Sequence, residues 1–172
     1  MTSKNYRQKL GKPKKSNRNA GPPKGEPWVW LTQELIQSPA FRALSGNGLR
    51  VLFRILAEHM AHAGTQNGKL VVTHNDFHQY GIRRASIAAA IQEVEAMGFI
   101  QVNRGTRFNG HREPSLYRIT WLPDLEGSEP TNRWKGIDEK NVEDFKKARS
   151  EERSQIMLQR NARRTRQKTA GQ

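Results

Sequence analysis

The chain has 172 residues, no cysteine, a formal net charge of +14 and a sequence pI of about 10.6. That length holds one domain with appendages or at most two small domains, and the absent cysteines exclude disulfides, thiolate catalysis and Cys-based zinc sites. The charge points to a polyanionic partner. No apolar run approaches the roughly 18 residues of a membrane span and no apolar core follows the basic N-terminus, so the expectation is a soluble cytoplasmic protein without a membrane partner.

Residues 1–26 carry eight Lys/Arg and one acid, a net +7 and half of the whole excess. Lys, Gly, Pro, Ser and Asn dominate there, and too little apolar surface is available to offset the entropy of ordering. The segment reads as a disordered basic arm. Lys4, Arg7, Lys9, Lys12, Lys14, Lys15 and Arg18 are its candidate nonspecific nucleic-acid contacts.

A folded domain is expected over 27–123. Trp28-Val29-Trp30-Leu31 reads as a short strand or an anchor, with both tryptophans in the core. Thr32 opens a brief helical turn. Ser38-Pro39 is an N-cap followed by proline at the first helical position, starting a short helix through Leu44. Ser45 caps the next helix, where Leu49, Leu52, Phe53, Leu56 and Met60 recur at helical spacing as a core stripe and Arg50 and Arg54 lie beside it. Ala63-Gly64 ends that helix, and Leu70-Val71-Val72 is a strand.

Thr73-x-x-Asp76 has capping-box spacing, with Asp in place of the usual Glu. The helix it opens buries Phe77, with Tyr80 a second candidate, and stops at Gly81; Ile82 fills the turn. From Arg83 or Arg84 to Met97, the residues Ile87, Ile91, Val94 and Met97 share one helical face. Gly98 falls where a left-handed cap is expected. Two strands follow, Phe99–Val102 and Leu116–Trp121, and residues 104–115 between them form a long, basic, Gly-rich wing. Residues 124–136 read as a polar linker with Trp134 able to dock back. Residues 137–172 read as a long, weakly packed helical tail, acidic first and basic last, with Val142, Phe145, Ala148, Ile156 and Met157 as its sparse apolar positions.

This order of strand, helix, turn, helix and wing makes the expected fold α+β, a winged helix-turn-helix with a basic arm and a helical tail. Such a fold presents the start of one helix and one loop to a duplex. The helix at 83–97 offers Arg83, Arg84, Ser86 and Gln92; arginine grips guanine or phosphate, and glutamine pairs with adenine. The wing offers Arg104, Arg107, His111 and Arg112 for phosphates or the minor groove. Ala85, Ala88 and Ala89 thin the reading surface, so phosphate contacts are expected to carry much of the affinity.

Residues 45–121, and GIRRASIAAAIQEVEAMGFIQVNRG above all, resemble the winged-helix superfamily of bacterial DNA-binding proteins. The longer set WVWLTQELIQSPAFRALS, EHMAHAGTQNGKL, TWLP and TNRW is similar to winged-helix proteins of bacterial chromosomes and mobile elements that carry no assigned activity. The resemblance implies double-stranded DNA as partner and a transcriptional regulator as the role, with a plasmid or phage replication initiator as the alternative. Homodimerisation through the C-terminal helix fits the reading of two half-sites. RNA or ribonucleoprotein binding, or a structural role in a mobile element, is the alternative from a different class.

His59 and His62, and His74 and His78, have spacings that place two rings on one helical face, but Glu58 and Asp76 are the only carboxylates near them and no metal motif joins them, so a structural role is expected and no metal. No phosphate loop, carboxylate pair or nucleophile elbow is present, and neither enzymatic activity nor a cofactor is expected.

Overall fold

The computed structural model describes residues 25–108 and 111–169, with side chains for all of these except 107, 108, 111, 112 and 163–169. Six α-helices and two small antiparallel sheets occur among the described residues. The helices are α1 (Gln33–Gln37), α2 (Pro39–Ala43), α3 (Gly46–Ala61), α4 (His74–Gln79), α5 (Arg84–Ala96) and α6 (Glu139–Thr169), with a 3-10 turn at Arg133–Gly136. The strands are β1 (Leu70–Val71), β2 (Ile100–Asn103), β3 (Arg107–Phe108), β4 (His111–Arg112) and β5 (Leu116–Ile119). None of these helices is long and apolar enough to cross a membrane.

The short helices start where local chemistry places them. The Thr32 hydroxyl accepts from the Leu35 amide, and Ser38 from Phe41 with Pro39 behind it. At Thr73 the capping box is complete: Thr73 Oγ1 accepts from the Asp76 amide, and the Asp76 carboxylate accepts from the Thr73 amide at 2.7 Å. These bonds hold the Asp76 carboxyl below its ordinary pKa.

The three-stranded sheet has the order β1-β5-β2, with Leu70 opposite Tyr117 on one side and Ile100 opposite Ile119 on the other. It covers a core formed by α3, α4 and α5 through Leu52, Ile55, Phe77, Ile87 and Val94. Tyr117 is buried in that core, which pushes its phenol up to about 12. Phe99 anchors an aromatic cluster, edge-on to Phe41 and Trp121 and stacked on Trp134 at 6.4 Å. Gly98 precedes it at φ +76°, and a Cβ there would lie 2.6 Å from the Trp134 amide nitrogen, so only glycine allows the 3-10 turn to close on the sheet.

Residues 124–136 lie against this core rather than away from it. The buried Asn67 side chain accepts from the Ile119 amide at 2.7 Å and donates to the Ile119, Leu122 and Pro123 carbonyls. The Leu125 amide returns a bond to the Asn67 carbonyl, and Trp134 is buried.

Four expectations are corrected. Trp28-Val29-Trp30-Leu31 forms no strand but an anchor, with Val29 and Leu31 packed against the core and the Trp30 carbonyl accepting from Trp121 Nε1 at 3.3 Å, while Trp28 and Trp30 are 58% and 45% exposed instead of in the core. The α3 core stripe is Gly48, Val51, Leu52, Ile55, Leu56 and His59, about one residue from the predicted set; Phe53 is exposed and Leu49 and Met60 are half-buried. Tyr80 is exposed beyond the end of α4. The tail helix is tied to the core over its first half: Val142 is buried, Phe145 packs against the core and Glu139 pairs with Arg42 at 3.2 Å. Its later Ile156, Met157 and Leu158 are exposed.

Candidate nucleic-acid interface

Helix α5 is held by Ile87, Ala90, Ile91 and Val94, which face the core, and by Ile82, buried in the turn from α4. This fixes the opposite face outward. At its start, Arg83 is the N-cap residue, its side chain makes no capping bond, and the first turn carries no acid. Both Arg83 and Arg84 are exposed. Arg84 Nη2 donates to Asn75 Oδ1 of α4 at 3.0 Å, which orients that guanidinium across the turn between the two helices. Ser86 is half-buried, and its amide donates to the Arg83 carbonyl at 2.8 Å.

Arg104, expected to contact nucleic acid, is instead bound to its own fold. Both guanidinium nitrogens donate to the Glu95 carboxylate, a contact that stabilises the charged guanidinium further. Glu95 also accepts from the Val102 amide, so the pair ties β2 and the base of the following loop to α5. The loop narrows into a two-stranded ribbon in which Arg107 is the cross-strand partner of Arg112 and Phe108 of His111. The Glu113 amide closes its base on the Thr106 carbonyl, and Gly105 lies so close to the Glu113 and Pro114 carbonyls that a Cβ has no room. The side chains of Arg107, His111 and Arg112 lie outside the described residues, as do Lys4, Arg7, Lys9, Lys12, Lys14, Lys15 and Arg18 of the arm.

Gln92 and the α5 alanines have a neighbour that the sequence did not indicate. Helix α6 passes beside α5, so that Ala85, Ser86 and Ala89 line a groove with Phe145, Lys146 and Arg153, and Gln92 borders a second hollow with Ala148 and Ile156. The clasp is Glu93, 4% exposed on α5. Its carboxylate accepts from the Ser45 amide at 2.6 Å, the Ser45 hydroxyl at 2.8 Å and Arg149 of α6 at 2.9 Å. One buried acid thus caps α3 and pins α6. Its signal in the sequence is a lone charge one position from the apolar face of α5.

The histidines do not converge. His59 is buried among the α3 core residues with Nδ1 unpartnered, and burial lowers its pKa. His62 pairs with Glu58, and His78 meets the Ile82 carbonyl. Among the described residues no three His, Asp or Glu side chains stand close enough to share a metal ion.

No protein-family model, curated protein or solved structure matches the chain.

Proposed function

We propose that this protein binds double-stranded DNA through a winged helix-turn-helix, with α4 and α5 as the two helices and the β3–β4 ribbon as the wing. The observation that carries the reading is the start of α5. Two arginines stand there, exposed, at the positive end of a helix dipole with no acid to offset them. Such an end is unfavourable alone and favourable against phosphate. Arg84, oriented by Asn75, is the residue best placed to reach a base edge; Arg83 and the first-turn amides suit the backbone.

The net charge of +14 supports the same reading, since phosphate contacts dominate affinity for duplexes. Arg104 becomes a positioning residue that holds the wing to α5 through Glu95, and the contacts of the wing fall to Arg107, His111 and Arg112. The role is a cytoplasmic transcriptional regulator of a bacterial chromosome or mobile element, a step that rests on resemblance at the level of the fold.

The test is fluorescence anisotropy of the full chain with random duplex DNA, single-stranded DNA and double-stranded RNA across a salt series. Duplex DNA is expected to be preferred, with an affinity that falls steeply as salt rises. Equal binding of duplex DNA and RNA at moderate salt would overturn groove reading. Selection of bound duplexes from a random pool then gives the site and its symmetry.

A further inference from the structure

The groove between α3, α5 and α6 is open to solvent and has a volume of about 890 Å³, within the range of small-molecule sites. Its rim carries Arg50 from α3 and Lys146, Arg149 and Arg153 from α6. Glu93 is the only acid in the lining, and it is already taken by Arg149 and by the amide and hydroxyl of Ser45. Among the described residues, Arg50, Lys146 and Arg153 pair with no carboxylate; the Arg50 guanidinium reaches only the Gly81 carbonyl, at 3.4 Å.

Like charges from two separate helices thus surround one concavity without a counter-ion. All three side chains are exposed and hydrated, and an anion entering the groove would meet three cations that no carboxylate of the described residues neutralises. The apolar part of the lining is Phe145, Val142 and Met97 with Ala85 and Ala89, whose small side chains leave the space open, beside the polar Ser45, Asn47, Ser86 and Ser150. Cations around an apolar slot match a ligand with a charged end and a flat or apolar body. Bidentate guanidinium groups and an ammonium suit phosphoryl oxygens.

We propose that this groove binds a phosphorylated small molecule of nucleotide size, with its phosphoryl groups on Arg50, Lys146 and Arg153 and its body against Phe145, Ala85 and Ala89. A ligand seated there bridges α6 to α3 and α5 and holds the tail helix on the core. The site goes beyond duplex binding and does not depend on it, because it is tested with no nucleic acid present.

The experiment is thermal denaturation and calorimetric titration of the full chain with ADP, pyrophosphate and adenosine at constant ionic strength, with sulfate as the control. ADP is expected to raise the melting temperature with a saturating dose response, as a ligand of the native state does. Pyrophosphate is expected to act more weakly and adenosine not at all. The exposed double variant Lys146→Glu/Arg153→Glu should keep its circular dichroism spectrum and bind ADP at least about tenfold more weakly. Ala89→Trp, which fills the slot and leaves every cation in place, should cut the ADP response to no more than that of pyrophosphate and spare the latter.

A response to ADP no greater than to sulfate, or one unchanged in the double variant, overturns the proposal. So does a full chain that ignores ADP while the double variant loses affinity for duplex DNA, since the groove then serves the DNA backbone.

Discussion

Helices α3 and α5 pack against each other and begin in opposite ways. The start of α3 is fully tied: Ser45 Oγ accepts from the Gly48 amide at 3.1 Å, and the Glu93 carboxylate takes the Ser45 amide and hydroxyl. A negative charge therefore sits at the positive end of its dipole. The start of α5 has arginine at the cap and at the first helical position, and no side chain bonds its amides. One end is finished by the fold, so nothing external is needed there. The other is uncapped and held by packing through Ile82, Ile87 and Ala90 and by the exposed Arg84–Asn75 bond. The difference separates a helix start closed by its own fold from an uncapped one, the end at which we propose duplex contact.

The largest break in that contrast is Glu93→Ala. It leaves Arg149 without its partner and removes the carboxylate from the Ser45 amide and hydroxyl. Loss of one member of a buried pair costs about 3–5 kcal/mol; Arg149 is half-buried and can turn toward water, so the low end, about 3 kcal/mol in urea denaturation, is expected. A loss under about 1 kcal/mol would mean that the Ser45 hydroxyl cap and packing suffice for the start of α3 without Glu93.

Arg84→Ala acts on the open end. Its bond to Asn75 is exposed, so stability should change by less than about 0.5 kcal/mol. Affinity for a selected duplex should fall by about 1–3 kcal/mol, with relaxed preference at one base pair. An equal loss on every sequence would make Arg84 a phosphate contact and leave base reading to other residues.

The tied ends were legible in the sequence and the long-range ties were not. Cap chemistry is local, so Thr73-x-x-Asp76, Ser38-Pro39 and Ser45 announce helix starts, and the inner face of α5 follows from spacing. In α3, apolar residues occur on more than one face, so periodicity admits two stripes about one residue apart. The winner, Val51 and Ile55 over Leu49 and Phe53, depends on where α5 and β1 pack. Glu93 and Asn67 escaped notice because their partners lie 48 to 56 positions away. The alanines of α5 read as a thinned recognition surface, but Ala85 and Ala89 line the groove against α6, a neighbour that local pattern cannot place. Trp28 and Trp30 are large apolar residues, yet it is Val29 and Leu31 between and beside them that pack against the core.

A smaller effect comes from finishing the open end. Arg83→Asp places a capping carboxylate at the start of α5 and removes a cation from the positive end of the dipole, so the fold should gain about 1 kcal/mol and melt a few degrees higher. Duplex affinity should fall, because the new carboxylate competes with phosphate for the same amides. A gain in stability together with unchanged affinity would place duplex contact elsewhere, in the wing or the arm.

The smallest effect is also the one that separates the two kinds of helix start by pH. The Asp76 carboxyl is held below its ordinary pKa by the Thr73 hydroxyl and amide. Its unfolded counterpart therefore takes up a proton first as the solution is acidified. The contribution of its charge is fully present above the ordinary carboxylate range, near pH 4, and is lost as pH falls through the lowered value. Asp76→Asn keeps one acceptor oxygen for the Thr73 amide and hydroxyl and exchanges the other carboxylate oxygen, with the charge, for an uncharged NH2. The stability difference between the two proteins, below about 1 kcal/mol at pH 7 for so exposed a group, should shrink as pH falls through the lowered value. The first turn of helix α5 has no such acid. In the Arg83→Asp variant a second contribution of the same sign should appear, because the new carboxylate would bond amides that the native chain leaves open.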